Sequence, residues 1–268
     1  MKIACALISC FFLAGCAHQV TYEKEKSITL SQISIEKPLK VLRVGEKFIY
    51  EVSWFGIHSG YITLTVKEIV NINATPTYHI VATAQPNSFF RFFYDVEYKV
   101  DTYLDVNRLR PLSFHKQRRL NQKVTIEKIE FDYAKNIAHW TYSDPKIKKD
   151  LVITKNLQDL LSSLYYFRIQ EISLGKKHYL DIFYNGNIWP VTLLAEKYLK
   201  INLPGRIKIN AIVTKPISSL STYITGFPKF EAFLTCDKER TPVLFKMPTR
   251  IGSLYGVLVN YSECRNSN

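Results

Sequence analysis

From Gly45 onward apolar and polar positions alternate. In GEKFIYEVSW, Phe48, Tyr50, Val52 and Trp54 share one face while Ile49, Glu51 and Ser53 share the other, the two-residue period of a half-buried strand. FGIHSG then turns the chain, and Ile62, Leu64 and Val66 alternate with Tyr61, Thr63 and Thr65, so the two segments read as a hairpin. NINATP closes the second strand and residues 78–84 predict a third. In FFYDVEYKVDTYLD, Phe92, Tyr94, Val96, Tyr98, Val100 and Leu104 form an apolar wall opposite Asp95, Glu97, Lys99 and Asp101. VTIEKIEFDY changes phase between Val124 and Ile126 on one side and Ile129, Phe131 and Tyr133 on the other. That change predicts a bulge near Glu127 and Lys128. Short strands are expected at 138–142 and 151–154.

The period lengthens once. Leu157, Leu160, Leu161, Leu164, Tyr165 and Ile172 recur at three- and four-residue steps, which predicts an amphipathic helix with Asn156 as its cap and Gly175 at its end. Strands resume at 178–184, NGN gives a hairpin into 188–196, and further strands run to Glu263. The pattern as a whole specifies a mainly β fold: a single large curved antiparallel sheet, half-barrel or sandwich-like, with one amphipathic helix packed on it. Seventeen tyrosines and 16 phenylalanines against 10 glycines add a large aromatic core to that picture.

The amino end departs from the pattern. Lys2 is followed by an uncharged run from Ile3 to Leu13 and then Ala14-Gly15-Cys16. The run is shorter than the roughly 20 apolar residues that cross a bilayer, and it has the charge, length and small residues of a secretory signal. Leu13-Ala14-Gly15-Cys16 resembles the bacterial lipobox, which implies cleavage before Cys16 and acylation of its thiol; Ala17 in the next position favours the outer membrane. The expected organisation is a lipoprotein signal peptide at 1–15, a lipidated N-terminus and tether at 16–44, one β-rich domain at 45–264, and a tail at 265–268. Fully extended, the tether reaches about 90 Å.

Without residues 1–15 the formal charge falls from +13 to +12. In an exported protein such a basic surface points to phosphate-bearing lipid or glycan rather than nucleic acid. With Cys5 and Cys10 in the signal and Cys16 acylated, Cys236 and Cys264 remain, as a candidate disulfide or as two buried thiols.

Recognisable chemistry is absent. GIHSG spaces its glycines like a nucleophile elbow, but it centres on His58 and joins strands rather than a strand to a helix. The sequence holds no H-E-x-x-H, C-x-x-C or glycine-rich phosphate loop, so no metal or cofactor is expected. His58, His79, His115, His139 and His178 are scattered. Asp159, Ser162, Ser163 and Arg168 read as a helix cap and helix-to-sheet hydrogen bonds, and Asp237, Glu239 and Arg240 as a charged turn. The basic stretches at 115–119, 146–149 and 175–177 read as solvated rims.

Four stretches together resemble the bacterial envelope domain-of-unknown-function family 3108. GEKFIYEVSWFGIHSGYITLTV carries Gly45, Glu46, Tyr50, Trp54, Gly56 and Gly60; LQDLLSSLYYFR carries Asp159 and Arg168; LPGRIKINAIV carries Gly205; DKERTPVLFKMPTRIGSLYGVL carries Asp237, Arg240, Pro242 and Gly252. Thr235-Cys236 departs from the family pattern, which gives the disulfide no support. The resemblance implies a fold similar to the envelope lipoprotein carriers, whose curved sheet wraps a helix, and it brings no agreed activity. The expected function is a non-enzymatic, outer-membrane-tethered lipoprotein facing the periplasm that binds or hands over a lipid or acyl chain. Tyr50, Val52, Trp54, Tyr94, Val96 and Tyr98 are the candidate cavity lining. The alternative is an interaction scaffold with an envelope protein partner, and a third, less favoured, reading is a hydrolase of envelope glycan or lipid.

Overall fold

A computed structural model describes residues 36–38, 42–217, 230–249 and 251–260. Cys16 and Cys264 lie outside them, as does the signal. The first half of the described chain holds β1 (Lys47–Trp54), β2 (Ile57–Ile72), β3 (Thr75–Pro86), a short helix α1 (Ser88–Phe93), β4 (Val96–Asp105) and β5 (Pro111–Leu120). Next come β6 (Lys123–Asp132), β7 (Ile137–Ser143), β8 (Lys146–Val152), β9 (Leu157–Asp159) and helix α2 (Leu160–Arg168). The second half holds β10 (Lys177–Tyr184), β11 (Asn187–Leu203), a 3-10 turn at Pro204–Arg206, β12 (Ile207–Ile217), β13 (Glu231–Thr235), β14 (Pro242–Pro248) and β15 (Ser253–Leu258).

All fifteen strands form one sheet in the order β8-β7-β6-β5-β4-β3-β2-β1-β15-β14-β13-β12-β11-β10-β9. Every neighbouring pair is antiparallel except β9 with β10, which α2 connects as a parallel crossover. Laid flat, the sheet would set its edges about 67 Å apart at about 4.8 Å per strand. Yet the chain passes from the β8 edge to the β9 edge through only Ile153–Asn156, a link that spans at most about 18 Å. The sheet must therefore curl until its edges nearly meet.

The core shows the result. Phe114, Ile129, Phe131, Ala138, Trp140 and Leu151 of β5 to β8 pack against Leu157 and Phe183 of β9 and β10. A larger cluster fills the middle of the curl, where Phe48, Tyr50, Leu64, Val66, Ile80 and Leu104 meet Ile201, Val213, Phe233 and Leu244, with Leu161, Tyr165 and Ile169 of the α2 segment among them. A third cluster puts Phe167 and Ile172 on Leu180, Ile182, Leu193 and Leu234.

Four features differ from the pattern-based expectation. Phe92 lies not on a strand wall but in α1, 86% exposed; Asn87 caps that helix by accepting from the Phe90 N–H at 2.9 Å, and β4 starts only at Val96. β6 has no bulge: it stays in register with β5 and β7, because Glu127 itself points inward beside Ile129 and Phe131 while Val124 and Ile126 face out. The long helix begins later than expected and ends at Arg168, short of Gly175. Its cap is Asp159, not Asn156, in a reciprocal capping box with Ser162, since residues 157–159 are held in β9. Asp237, Glu239 and Arg240 do form the turn before β14, and within it the Arg240 side chain is 1% exposed. Finally, packing begins before Gly45: Leu42 is buried and Glu36 N–H donates to the Cys236 carbonyl at 3.1 Å.

Candidate functional site

Two clusters of charge stand on the inner side of the curl. In the first, Glu46 just ahead of β1 meets Arg168 at the end of α2. Arg168 donates through Nη1 and Nη2 to the two Glu46 carboxylate oxygens at 2.6 and 2.9 Å, through Nε to the Arg240 carbonyl at 3.2 Å and through Nη2 to the Glu239 carbonyl at 3.1 Å. Its guanidinium lies 4.9 Å from the Phe48 ring centre and 5.4 Å from that of Tyr165. Burial would lower the Arg168 pKa, but the Glu46 charge and hydrogen bond outweigh it and hold the group above its ordinary value. Arg240 donates to the Thr235 and Glu36 carbonyls, its turn is closed by Asp237 Oδ1 accepting from the Arg240 N–H, and Tyr50 Oη donates to the Pro242 carbonyl at 2.6 Å. Helix, first strand, amino-terminal segment and β13–β14 turn are thus tied at one point.

Asp159, at the start of the same helix, is fully buried. Its Oδ1 accepts from the Leu161 and Ser162 N–H groups and from Thr102 Oγ1 at 2.8, 2.9 and 3.0 Å. Burial outweighs those bonds and pushes its pKa up to about 6.

The second cluster lies in a half-open cleft of about 410 Å³ at the opposite end of the strands. β4 to β8 supply Tyr98, Lys116, Arg118, Thr125, Glu127, Trp140, Tyr142 and Ile147, and the tip of the β10–β11 hairpin closes one side with Tyr184 and Asn185. That tip is an Asn-Gly turn with φ of 47° and 71°, and a Cβ on Gly186 would stand 2.5 Å from the Trp140 ring; only glycine lets the hairpin rest there. Glu127, 2% exposed, accepts from Trp140 Nε1 at 3.0 Å and pairs with Lys116 Nζ. Lys116 also donates to Asn185 Oδ1 at 3.0 Å. Arg118 has no carboxylate in ion-pair range among the described residues, and its Nε is buried without a hydrogen-bond partner. The adjacent Tyr98 hydroxyl chiefly raises the Arg118 pKa, aided by a hydrogen bond with Tyr94; burial raises that of Tyr98, which also hydrogen-bonds Arg118.

The cavity-lining candidates scatter. Tyr98 lines the cleft. Tyr50 is solid core, its ring tilted against Phe245 at 5.3 Å, and Trp54 ties the β14–β15 turn by donating to the Ile251 carbonyl at 2.9 Å. Tyr94 is exposed beside Arg118, and Val52 and Val96 are half-buried. The family-motif residues instead converge: Glu46, Arg168, Asp237, Arg240 and Pro242 meet in the buried tie, with Asp159 capping the helix that carries Arg168. Gly45, Gly56 and Gly205 occupy turns at positive φ, and Gly60 passes so close to β3 that a Cβ would stand 2.3 Å from the Gln85 carbonyl oxygen. Cys236 is buried, which pushes its thiol up to about 11, and its proposed partner falls outside the described residues.

Lys116 and Arg118 correct the reading of 115–119 as a solvated rim. Their signal was in the sequence: with Phe114, Ile129 and Phe131 facing in, strand parity turns Lys116, Arg118, Thr125 and Glu127 inward too. No group of three or more His, Cys, Asp or Glu side chains that could hold a metal occurs among the described residues. No histidine lines the cleft.

One open, curled and almost wholly antiparallel sheet, plugged by a helix and notched at one end by a polar-aromatic cleft, defines the class: a mainly β, barrel-like domain. The chain belongs to the family described as Protein of unknown function (DUF3108), whose model matches residues 49–259; that family carries no catalytic assignment. No curated protein matches. A solved structure from Brucella abortus, a beta-barrel-like protein of domain of unknown function DUF1849, is similar at 11% identity with a TM-score of 0.49, covering 81% of this chain and 96% of its own.

Proposed function

We propose that this protein is an exported, non-enzymatic lipoprotein, anchored through Cys16 to the periplasmic face of the outer membrane, and that its cleft holds an amphiphilic envelope molecule bearing an anionic group. The cleft carries the reading. Its volume falls within the roughly 300–1,000 Å³ usual for ligand sites, apolar walls from Trp140, Tyr142 and Ile147 adjoin tyrosine hydroxyls, and Arg118 offers charge that no described carboxylate neutralises. A phosphate or carboxylate would complete its hydrogen bonding, while an acyl chain would lie along the rings. The expected lipid-binding cavity thereby becomes an open site with a charged floor.

The scaffold reading needs an accessible sheet edge. β8 is exposed along most of its length but presents Lys146, Lys148 and Lys149, with Pro145 just ahead of it, residues that discourage strand addition; the β9 edge is buried. Full-length protein purified from membranes, extracted with organic solvent and examined by mass spectrometry should release an anionic amphiphile in near-stoichiometric amount. Arg118→Glu should release little. Equal recovery from both proteins, or none from either, would sink the reading.

A further inference from the structure

Large apolar side chains gather, unburied, at the cleft end of the molecule. In α1 and just after it, Phe89, Phe92, Phe93 and Tyr94 are exposed, as are Phe55 and Ile57 at the β1–β2 turn and Ile251 at the β14–β15 turn. They form one rim. Asn87 N–H donates to the Ser59 carbonyl at 3.0 Å and its side chain to that of His58 at 2.7 Å, which sets α1 beside the β1–β2 hairpin. The Trp54 ring lies 5.1 Å from that of Phe55 and donates to the Ile251 carbonyl, and the Phe55 ring lies against Gly252. Within α1, Phe93 packs edge-on to Phe89 and Phe92 at 5.4 and 5.2 Å, so the ring cluster is braced by itself rather than by the core.

We propose that this rim docks into the surface of an anionic lipid bilayer, its aromatic rings seated at headgroup level and the mouth of the cleft facing the membrane. Four observations select lipid as the occupant. Exposed apolar side chains at this density mark an interaction surface, and aromatic rings prefer the membrane–water boundary. β8, which starts at this same end, adds exposed Lys146, Lys148 and Lys149, complementary to anionic headgroups. The cleft residues Tyr98, Arg118 and Thr125 lie within a few residues of the strand ends that carry the rim, so docking brings the ligand site to its source. The chain also permits it: Glu36 and Leu42 lie at the other end of β1, about 25 Å from Phe55 at 3.3 Å per residue, whereas Cys16 to Glu36 can span about 70 Å. An acyl anchor with a second, rim-borne contact is the two-signal arrangement that stable attachment requires. The inference rests on the lipoprotein reading only for which membrane is met.

Phe92→Trp and Val44→Trp place reporters at the rim and at the opposite end, both at sites more than half exposed. The full chain is mixed with vesicles of phosphatidylethanolamine and phosphatidylglycerol at about 3:1, with and without lipids brominated on the acyl chain, and emission is read against the parent protein. The rim reporter is expected to lose at least about half of its added emission to the brominated lipid, and the reporter at the opposite end to be unaffected. Equal quenching at the two positions overturns the proposal. So does a blue-shifted rim reporter in a lipid-free oligomer, which would make the rim a protein interface. Cosedimentation of Phe89→Ser/Phe92→Ser/Phe93→Ser protein with the same vesicles gives a second reading; undiminished partition counts against the rim. Incorporation of labelled palmitate is scored separately, so loss of the anchor and loss of docking are distinguishable.

Discussion

Arg168, at the end of α2, and Arg118, on β5, both lie inside the curl of the sheet, each near a carboxylate and aromatic rings, and they have opposite fates. Arg168 sits where the chain closes on itself, and every one of its guanidinium nitrogens donates to Glu46 or to a backbone carbonyl. Arg118 sits where the sheet stays open. The carboxylate of its cluster, Glu127, is already taken by Lys116 and Trp140, and its Nε has no partner. Buried charge that is fully satisfied by the protein serves the fold, whereas charge that is left over at a water-accessible wall is available to a ligand. Among the charged family-motif residues Glu46 and Arg168 fall in the first class, while Asp159 and Arg240 hold the helix start and the turn backbone although each keeps one buried atom without a partner; a pattern of recognisable residues therefore leads to a structural tie.

The tie is where the largest effect is expected. Arg168→Met keeps the apolar stem against Phe48 and Tyr165 but leaves the half-buried Glu46 and two backbone carbonyls without their partner, a loss of about 3 kcal/mol. For a chain of this size that corresponds to a fall in Tm on the order of 10 °C, measured by circular dichroism or calorimetry. A fall of less than about 3 °C would show that the pair contributes little and would erase the contrast with Arg118.

Asp159 comes next, through pH. Its folded pKa of about 6 lies above the ordinary value of 3.8, so the folded state holds its proton more tightly than the unfolded chain. Below about pH 4 both states are protonated and nothing is lost. As pH rises toward 6 the unfolded chain ionises first, and stability falls by about 3 kcal/mol before levelling off above that pH. Asp159→Asn retains the cap and should remove this slope, so the difference between the two proteins in urea unfolding should grow from pH 4 to 6 in favour of the variant. Parallel profiles would mean that the carboxyl titrates normally.

How much of this is legible in the sequence depends on what each residue answers to. Strand alternation is local, so β1, β2 and the Asn185-Gly186 hairpin follow from the pattern. The curl does not, because it follows from a four-residue link between edges that only the strand order reveals. α1 defeats the pattern because SFFRFF carries the aromatic residues of a strand while its start is set by one side chain, Asn87. β6 defeats it because a buried Glu127 looks like a solvent position until Lys116 and Trp140 are known to face it. At Glu127 and at Lys116 the same inference fails: a charge is taken to mean water, and the sheet has supplied it with partners.

The smallest stability effect belongs to Arg118, and it is the most discriminating. Arg118→Ala removes a side chain that anchors no backbone carbonyl and no described carboxylate, its contacts being hydrogen bonds with Tyr94 and Tyr98 and the Tyr98 ring at 6.0 Å. Its effect on unfolding free energy should stay within about 0.5 kcal/mol, the range of substitutions outside cores and networks. Retention of an anionic amphiphile should nevertheless drop at least about tenfold, as for loss of a charge-assisted hydrogen bond. The pairing of those two results is what separates Arg118 from Arg168, where stability and any binding must fall together. A destabilised Arg118→Ala protein that still holds its ligand would invert the assignment, making the cleft a second structural tie and leaving the open end of the sheet without a binding role.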